Sequence, residues 1–252
     1  MIARALAALA LGAAIAACGG DDDGPEIGAM VDIPAGSFLM GCNDAVDPLC
    51  ADASTDDEKP LRTITLSAYR IDRTEVTQAA YAACVDGGGC LVPTCRWDPA
   101  NLPRDAVTCV TIDDVRTYCQ FAGKRLPTEA QWENAARGTD GRLYPWGSAA
   151  PSCDLANRGC GDTLEVGTHP AGASPYGVLD LAGNAAEIVN DSYDYYPSGP
   201  ATDPTGPGGS TRVVRGGGRD SPDSVLRTSS RHFVGPGDAS SSVGFRCASL
   251  PK

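Results

Sequence analysis

The chain has 252 residues and a formal net charge of −12, with 30 glycines, 19 prolines and 11 cysteines. That length suits one large domain with a substantial core. Its acidic balance repels nucleic acid and anionic lipid headgroups, and argues against nucleic-acid partners.

At the N-terminus Arg4 supplies a positive charge, and Ala5 to Ala14 form an apolar run too short to span a bilayer. Ile15-Ala16-Ala17-Cys18 resembles a bacterial lipobox. Residues 1–17 are therefore expected to be a lipoprotein signal peptide and Cys18 the acylated residue. Residues 18–29 then form an acidic, glycine-containing tether before a domain at 30–252. Gly19 suggests export to the outer membrane, so the expected location is the cell envelope, with membrane contact through the lipid on Cys18. Ten cysteines remain, an even number that in an exported chain argues for disulfides. Zinc is the rival, but no CxxC pair occurs and only His169 and His232 could add imidazole ligands.

Taken in chain order, Val31–Ile33 and Ser37–Met40 flank Pro34-Ala35-Gly36 and predict a hairpin. Arg62–Leu66 and Tyr69–Ile71 are strand candidates. A helix is expected near Thr77 to Val85, carrying Ala80, Tyr81 and Cys84. The next opens at Thr111, a capping residue followed by Asp113 and Asp114, with Val115, Tyr118, Cys119 and Ala122 on one face and Gly123 placed to stop it. A third begins at Thr128, where Thr128 and Gln131 make a capping box and Trp132, Ala135 and Ala136 form the inward stripe up to Gly138. Ser192 to Gly209 shows neither helical nor strand period, and Arg212–Val214 and Val243–Arg246 complete the strands. This pattern predicts an irregular, loop-rich α+β domain whose loops need fastening.

Several segments together resemble one family. They are Ile33-Pro34-Ala35-Gly36-Ser37-Phe38-Leu39-Met40-Gly41, Asp57-Glu58-Lys59-Pro60 and Ile71-Asp72-Arg73-Thr74-Glu75-Val76-Thr77. The most specific runs from Gly123 to Glu133 (GKRLPTEAQWE), and Tyr144-Pro145-Trp146-Gly147 follows. Tyr176 to Asn184, Arg215-Gly216-Gly217 and Gly244-Phe245-Arg246-Cys247 complete the order. The chain is similar over these stretches to the formylglycine-generating enzyme, or sulfatase-modifying factor, family. That resemblance implies a disulfide-rich fold related to C-type lectins. Trp132 and Trp146 then read as apolar anchors, and Arg125, Arg215 and Arg246 as partners for carboxylates such as Glu129 or Glu133.

The resemblance also implies chemistry that this chain does not carry in full. Family oxidases hold copper on two cysteines just after the Arg-Gly-Gly segment, and soft Cu(I) needs soft sulfur. Here Ser221 and Leu226 stand at those positions, so copper-thiolate oxidation is not expected. The expectation is a non-catalytic binding or scaffold lipoprotein meeting an envelope protein or peptide. The alternative is an enzyme of the broader family that modifies such a partner, with His232, Arg227 and Arg231 as catalytic candidates around a groove, or with a metal on Asp220, Asp223 or His232. Ca²⁺ is the cofactor the resemblance implies. One site maps onto Asp180, the carbonyls of Gly183 and Ala185, and Glu187; a second maps onto Asn157, Arg158, Asp162 and Leu164. Two tryptophans usual beside the first site are replaced here by Ala186 and Ile188. The family disulfide corresponds to Cys119–Cys247. Nearness in sequence then suggests Cys42–Cys50, Cys84–Cys90, Cys95–Cys109 and Cys153–Cys160.

Overall fold

A computed structural model describes residues 28–161 and 164–251. The segment expected to be a signal peptide, Cys18, most of the expected tether and Asp162 lie outside the described residues. The strands are β1 (Met30–Ile33), β2 (Gly36–Met40), β3 (Arg62–Leu66), β4 (Tyr69–Asp72), β5 (Ala186–Ser192), β6 (Ala201–Thr202), β7 (Arg212–Arg215), β8 (Arg231–Val234), β9 (Val243–Gly244) and β10 (Ala248–Ser249). The helices are α1 (Gln78–Asp86), α2 (Ile112–Phe121) and α3 (Glu129–Arg137).

The expected hairpin at Pro34-Ala35-Gly36 does not form. β1 pairs with β4 and β2 with β3, both antiparallel, and the register is the same on both sides of the break. Residues 30–40 are thus one bent ribbon laid against 62–72. Proline lacks the N–H of a ladder residue, which suits an interruption opposite Ser67 and Ala68 rather than a turn. The connection at 41–61 is clipped by Cys42–Cys50. Of the segment Val243–Arg246, only Val243–Gly244 is strand, paired in parallel with β5.

All three helices start at the threonines their sequences mark. Thr77, Thr111 and Thr128 accept from backbone N–H groups of their first turns, and the last two form complete capping boxes. α3 follows the capping stretch with every residue from Glu129 to Arg137 buried. It packs with Ile64, Tyr69, Leu181 and Val213 around Trp132. A second core surrounds Tyr81, Tyr118 and Phe245, with the Tyr81 and Tyr118 rings stacked at 5.4 Å. There the Cys119–Cys247 disulfide ties α2 to the C-terminal segment. The remaining bridges are Cys84–Cys90, Cys95–Cys109 and Cys153–Cys160, so all ten cysteines after Cys18 are paired.

The sheet that positions the site has the strand order β8-β7-β5-β9. β5 escaped sequence reading because nearly all of it is buried, which erases the alternation of a one-sided strand.

Candidate functional site

Alternation along β8 separates two chemistries. Arg231 stands opposite Arg215 of β7, and His232 opposite Val214, so the two neighbours leave the sheet on opposite faces. On the His232 face a cleft of about 380 Å³ lies against Ala186, Val214 and Val243, and is closed by Gly217, Ser221 and Val225 from the loop after β7. His232 is on its wall, with an imidazole pKa lowered by desolvation and by the positive charges of Arg215 and Arg227. This is the residue the sequence placed near the cleft.

The loop is shaped by two glycines. Gly216 has φ +83°, and a Cβ there would stand 3.0 Å from the Leu181 carbonyl and 3.1 Å from the Trp132 ring. Gly217, at φ +66°, would meet Val225, Leu226 and Ser221 at 3.0–3.2 Å. Glycine alone lets the chain turn so closely over its own continuation. Ser221 Oγ accepts from Gly218 N at 3.0 Å, while Ser221 N donates to Gly218 O at 2.9 Å. Its hydroxyl therefore closes a local turn at the cleft edge. Leu226 is fully buried beside Tyr144 and Ala182. Positions 221 and 226 thus hold a turn-forming hydroxyl and a core hydrocarbon.

Arg227 and Arg231 do not flank this cleft as an open basic groove. Arg227 is buried and bonds Asp47 at 2.5 Å and Glu58 at 2.6 Å, which hold its pKa up against burial and lock the Cys42–Cys50 loop. Arg231 makes a bidentate pair with Glu129, at 2.6 and 2.9 Å, and lies 4.1 Å over the Tyr196 ring. Asp223 is likewise taken, by Arg158. Asp220 lines the cleft beside Ser221.

Behind the sheet lies a buried acidic cluster. Arg246 has no exposure and pairs with Glu187 through two 2.6 Å bonds, and the Trp132 indole adds a third at 2.9 Å. Glu187, mapped as a calcium ligand, is thus the counter-ion of an arginine. Asp180 accepts from Gly167 N at 2.7 Å. Sequence reading missed the third acid, Glu75. Its Oε1 accepts from Asn184 Nδ2 at 2.9 Å and from Ala185 N at 3.3 Å, but its buried Oε2 has no partner. Burial, with the nearby charge of Asp180, pushes the Glu75 carboxyl well above its usual range. Burial also raises Asp180. Three buried carboxyls around one guanidinium, with an orphaned oxygen beside the Gly183–Ala185 turn, are a donor set that suits a hard cation. The signal for Glu75 was its place in the Ile71–Thr77 segment, which the sequence reading assigned to scaffold.

Of the second mapped set, Asp162 lies outside the described residues. The Leu164 carbonyl already accepts from Ala106 N at 2.9 Å and from Asn184 Nδ2 at 3.1 Å. The Asn157 carbonyl accepts from Asn184 N at 2.8 Å, and Asn157 Nδ2 donates to Asn184 Oδ1.

The family profile for the sulfatase-modifying factor enzyme 1-like domain matches residues 19–250. The formylglycine-generating enzyme of Streptomyces coelicolor is 30% identical over 285 residues, covering 87% of this chain and 88% of that protein. Hercynine oxygenase of Mycolicibacterium smegmatis is 32% identical over 83% of this chain, which spans 58% of that relative's length. Among solved structures, Treponema denticola variable protein 1 has a TM-score of 0.71 at 26% identity, over 88% of this chain and 95% of that one.

Proposed function

The chain belongs to the sulfatase-modifying factor family, and we propose that within it this protein binds a partner at the cleft instead of oxidising one with copper. The observation that carries this reading is the pair of positions 221 and 226: one holds an oxygen engaged in a turn, the other a leucine with no exposure. A serine hydroxyl does not ionise near neutral pH, and leucine offers no ligand at all. The ten cysteines after Cys18 are all in disulfides, so no thiolate remains among the described residues.

The proposed setting is the cell envelope, with the domain held to a membrane by lipid on Cys18 and tethered by the residues up to 29. An envelope protein or peptide is the proposed partner. Labelled palmitate should enter the wild-type protein and not a Cys18→Ser variant; incorporation in both would remove the anchor from this reading. The proposed resident ion is Ca²⁺, held by Asp180, Glu75 and the carbonyls of Gly183 and Ala185, where it would supply positive charge to a buried acidic turn.

The decisive experiment incubates the mature protein with a cysteine peptide of sulfatase type, with and without copper, and reads the mass of the peptide. No conversion is expected, and thiol titration of the unfolded, unreduced protein should find no free thiol. Conversion of the cysteine to an aldehyde would end the binding reading. A second reading, an enzyme of the broader family modifying an envelope peptide, draws on His232, whose lowered pKa keeps a neutral imidazole on the cleft wall. A His232→Ala variant that keeps peptide affinity while losing a chemical conversion would favour that reading.

A further inference from the structure

A second cavity, of about 400 Å³, opens beside Arg231, away from His232, between β3, β5 and the loop at 194–207. β3 alternates buried and exposed residues, and its inward set is Arg62, Ile64 and Leu66. The strand period therefore forces a guanidinium into the wall of this cavity. Arg62 is only 7% exposed. Its Nη1 donates to the Pro197 carbonyl at 3.0 Å, and its Nε has no partner. Among the described residues no carboxylate pairs with it. Buried Arg215, Arg227, Arg231 and Arg246 each hold one or two. A buried charge without a counter-ion is costly, and an anion from outside would remove that cost.

Most of the other walls are apolar, and of the three carboxylates there Glu129 and Asp191 are held by neighbours while Asp194 sits at the exposed rim. Met40, Ala130, Pro197, Pro204 and Pro207 line the cavity, and Tyr195, 70% exposed, stands at its mouth. Glu129 is neutralised by Arg231 and Arg215. Asp191 accepts from Glu129 N at 2.9 Å. Gly206, at φ +67°, packs so closely on Asp191 that a Cβ would meet it at 2.9 Å, so glycine keeps that wall from filling.

We propose that this cavity binds a small organic acid, its carboxylate completing Arg62 and its aromatic or aliphatic body lying against Tyr195 and the prolines. The volume is within the roughly 300–1,000 Å³ of small-molecule sites. The inference is independent of the cleft reading and survives if the cleft proves catalytic. Asp191 does not oppose an anion here. Burial and the Glu129 charge raise its pKa to about 7, while Arg231 and Arg212 lower it, so it is largely protonated at pH 6.

The test is calorimetric titration of the mature protein at pH 6 with 3-phenylpropionate and, separately, its uncharged amide. The acid should bind at least tenfold tighter, and Arg62→Met should abolish the difference. Binding should weaken from pH 6 to pH 8 in the wild type, as Asp191 ionises opposite Glu129, Arg231, Arg212 and Arg62, and stay constant in Asp191→Asn. Equal binding of acid and amide, or no binding of the acid at millimolar concentration, would overturn the proposal. The acid–amide comparison uses the wild-type protein alone, so a poorly folding Arg62→Met does not spare it.

Discussion

One face of the β8-β7-β5 sheet carries Arg215 and Arg231, the other His232 and the cleft, and they differ in how closely charge is matched. Toward α3, Arg215 meets Glu129 at 3.1 Å and Glu133 at 2.5 Å with neither partner exposed, and Arg246 meets Glu187 behind the same sheet. Toward the cleft no buried ion pair lines the wall; there the chain offers a hydroxyl, an exposed histidine and the aspartate at 220. The matched side is scaffold, since removing one partner strands a charge. The cleft side is freer to change, because a substitution there strands no buried charge among the described residues.

Four measurements sharpen or break that comparison. The largest effect is expected from replacing both Cys119 and Cys247 with alanine, which opens a loop of 128 residues. Chain entropy alone assigns it about 4–5 kcal/mol, read as a lower denaturant midpoint. An effect below about 1 kcal/mol would move the fastening of the fold to the short bridges. Arg246→Met comes next, at about 3–5 kcal/mol, since it leaves Glu187 buried without its counter-ion. The same variant tests the cation site. Chelation should lower the wild-type melting temperature, and Asp180→Asn should remove most of that response. Glu187→Gln should destabilise equally with and without Ca²⁺, because its work is to pair with Arg246.

The third concerns pH. Asp191 has a folded pKa raised to about 7 against an ordinary value near 3.9, with burial the main cause. A raised folded pKa stabilises fully below the unfolded value and loses that contribution as pH rises through the folded one. Stability should therefore fall between about pH 4 and pH 7, by at most about 4 kcal/mol. Asp191→Asn should flatten this slope in thermal melts. A slope unchanged by the substitution would assign the effect to another group.

The contrast also decides what was legible in the sequence. The stretch from Gly123 to Glu133 is recognisable because it is scaffold: Thr128 and Gln131 cap α3, Trp132 bonds Glu187, and Glu133 bonds Arg215. Helix starts were readable because a cap and its partner lie three residues apart. The hairpin at 34–36 was misread because local spacing cannot tell a turn from a break in a longer ribbon, whose partner lies some thirty residues on. Arg227 finds Asp47 and Glu58 at separations of 180 and 169 residues, and nothing local announces that. Glu75 stayed hidden for the same reason, since its neighbours Asn184 and Ala185 come more than a hundred residues later. The cleft itself had no local signal beyond the resemblance at the loop after β7.

The smallest expected effect is the most informative about the cleft. Ser221→Ala removes the acceptor of one 3.0 Å bond from the buried Gly218 N, at a cost of about 1 kcal/mol. His232→Ala removes an exposed side chain for which no ion pair is formed among the described residues. His232→Ala should change stability by no more than about 0.5 kcal/mol, as surface substitutions generally do. Partner capture should respond far more, because His232 is the titratable group on the cleft wall and Ser221 shapes its rim. If instead both variants unfolded the protein as Arg246→Met does, the cleft would be part of the frame. The separation of scaffold from binding surface would then fail, since the residues lining the cleft would be the ones holding the fold together.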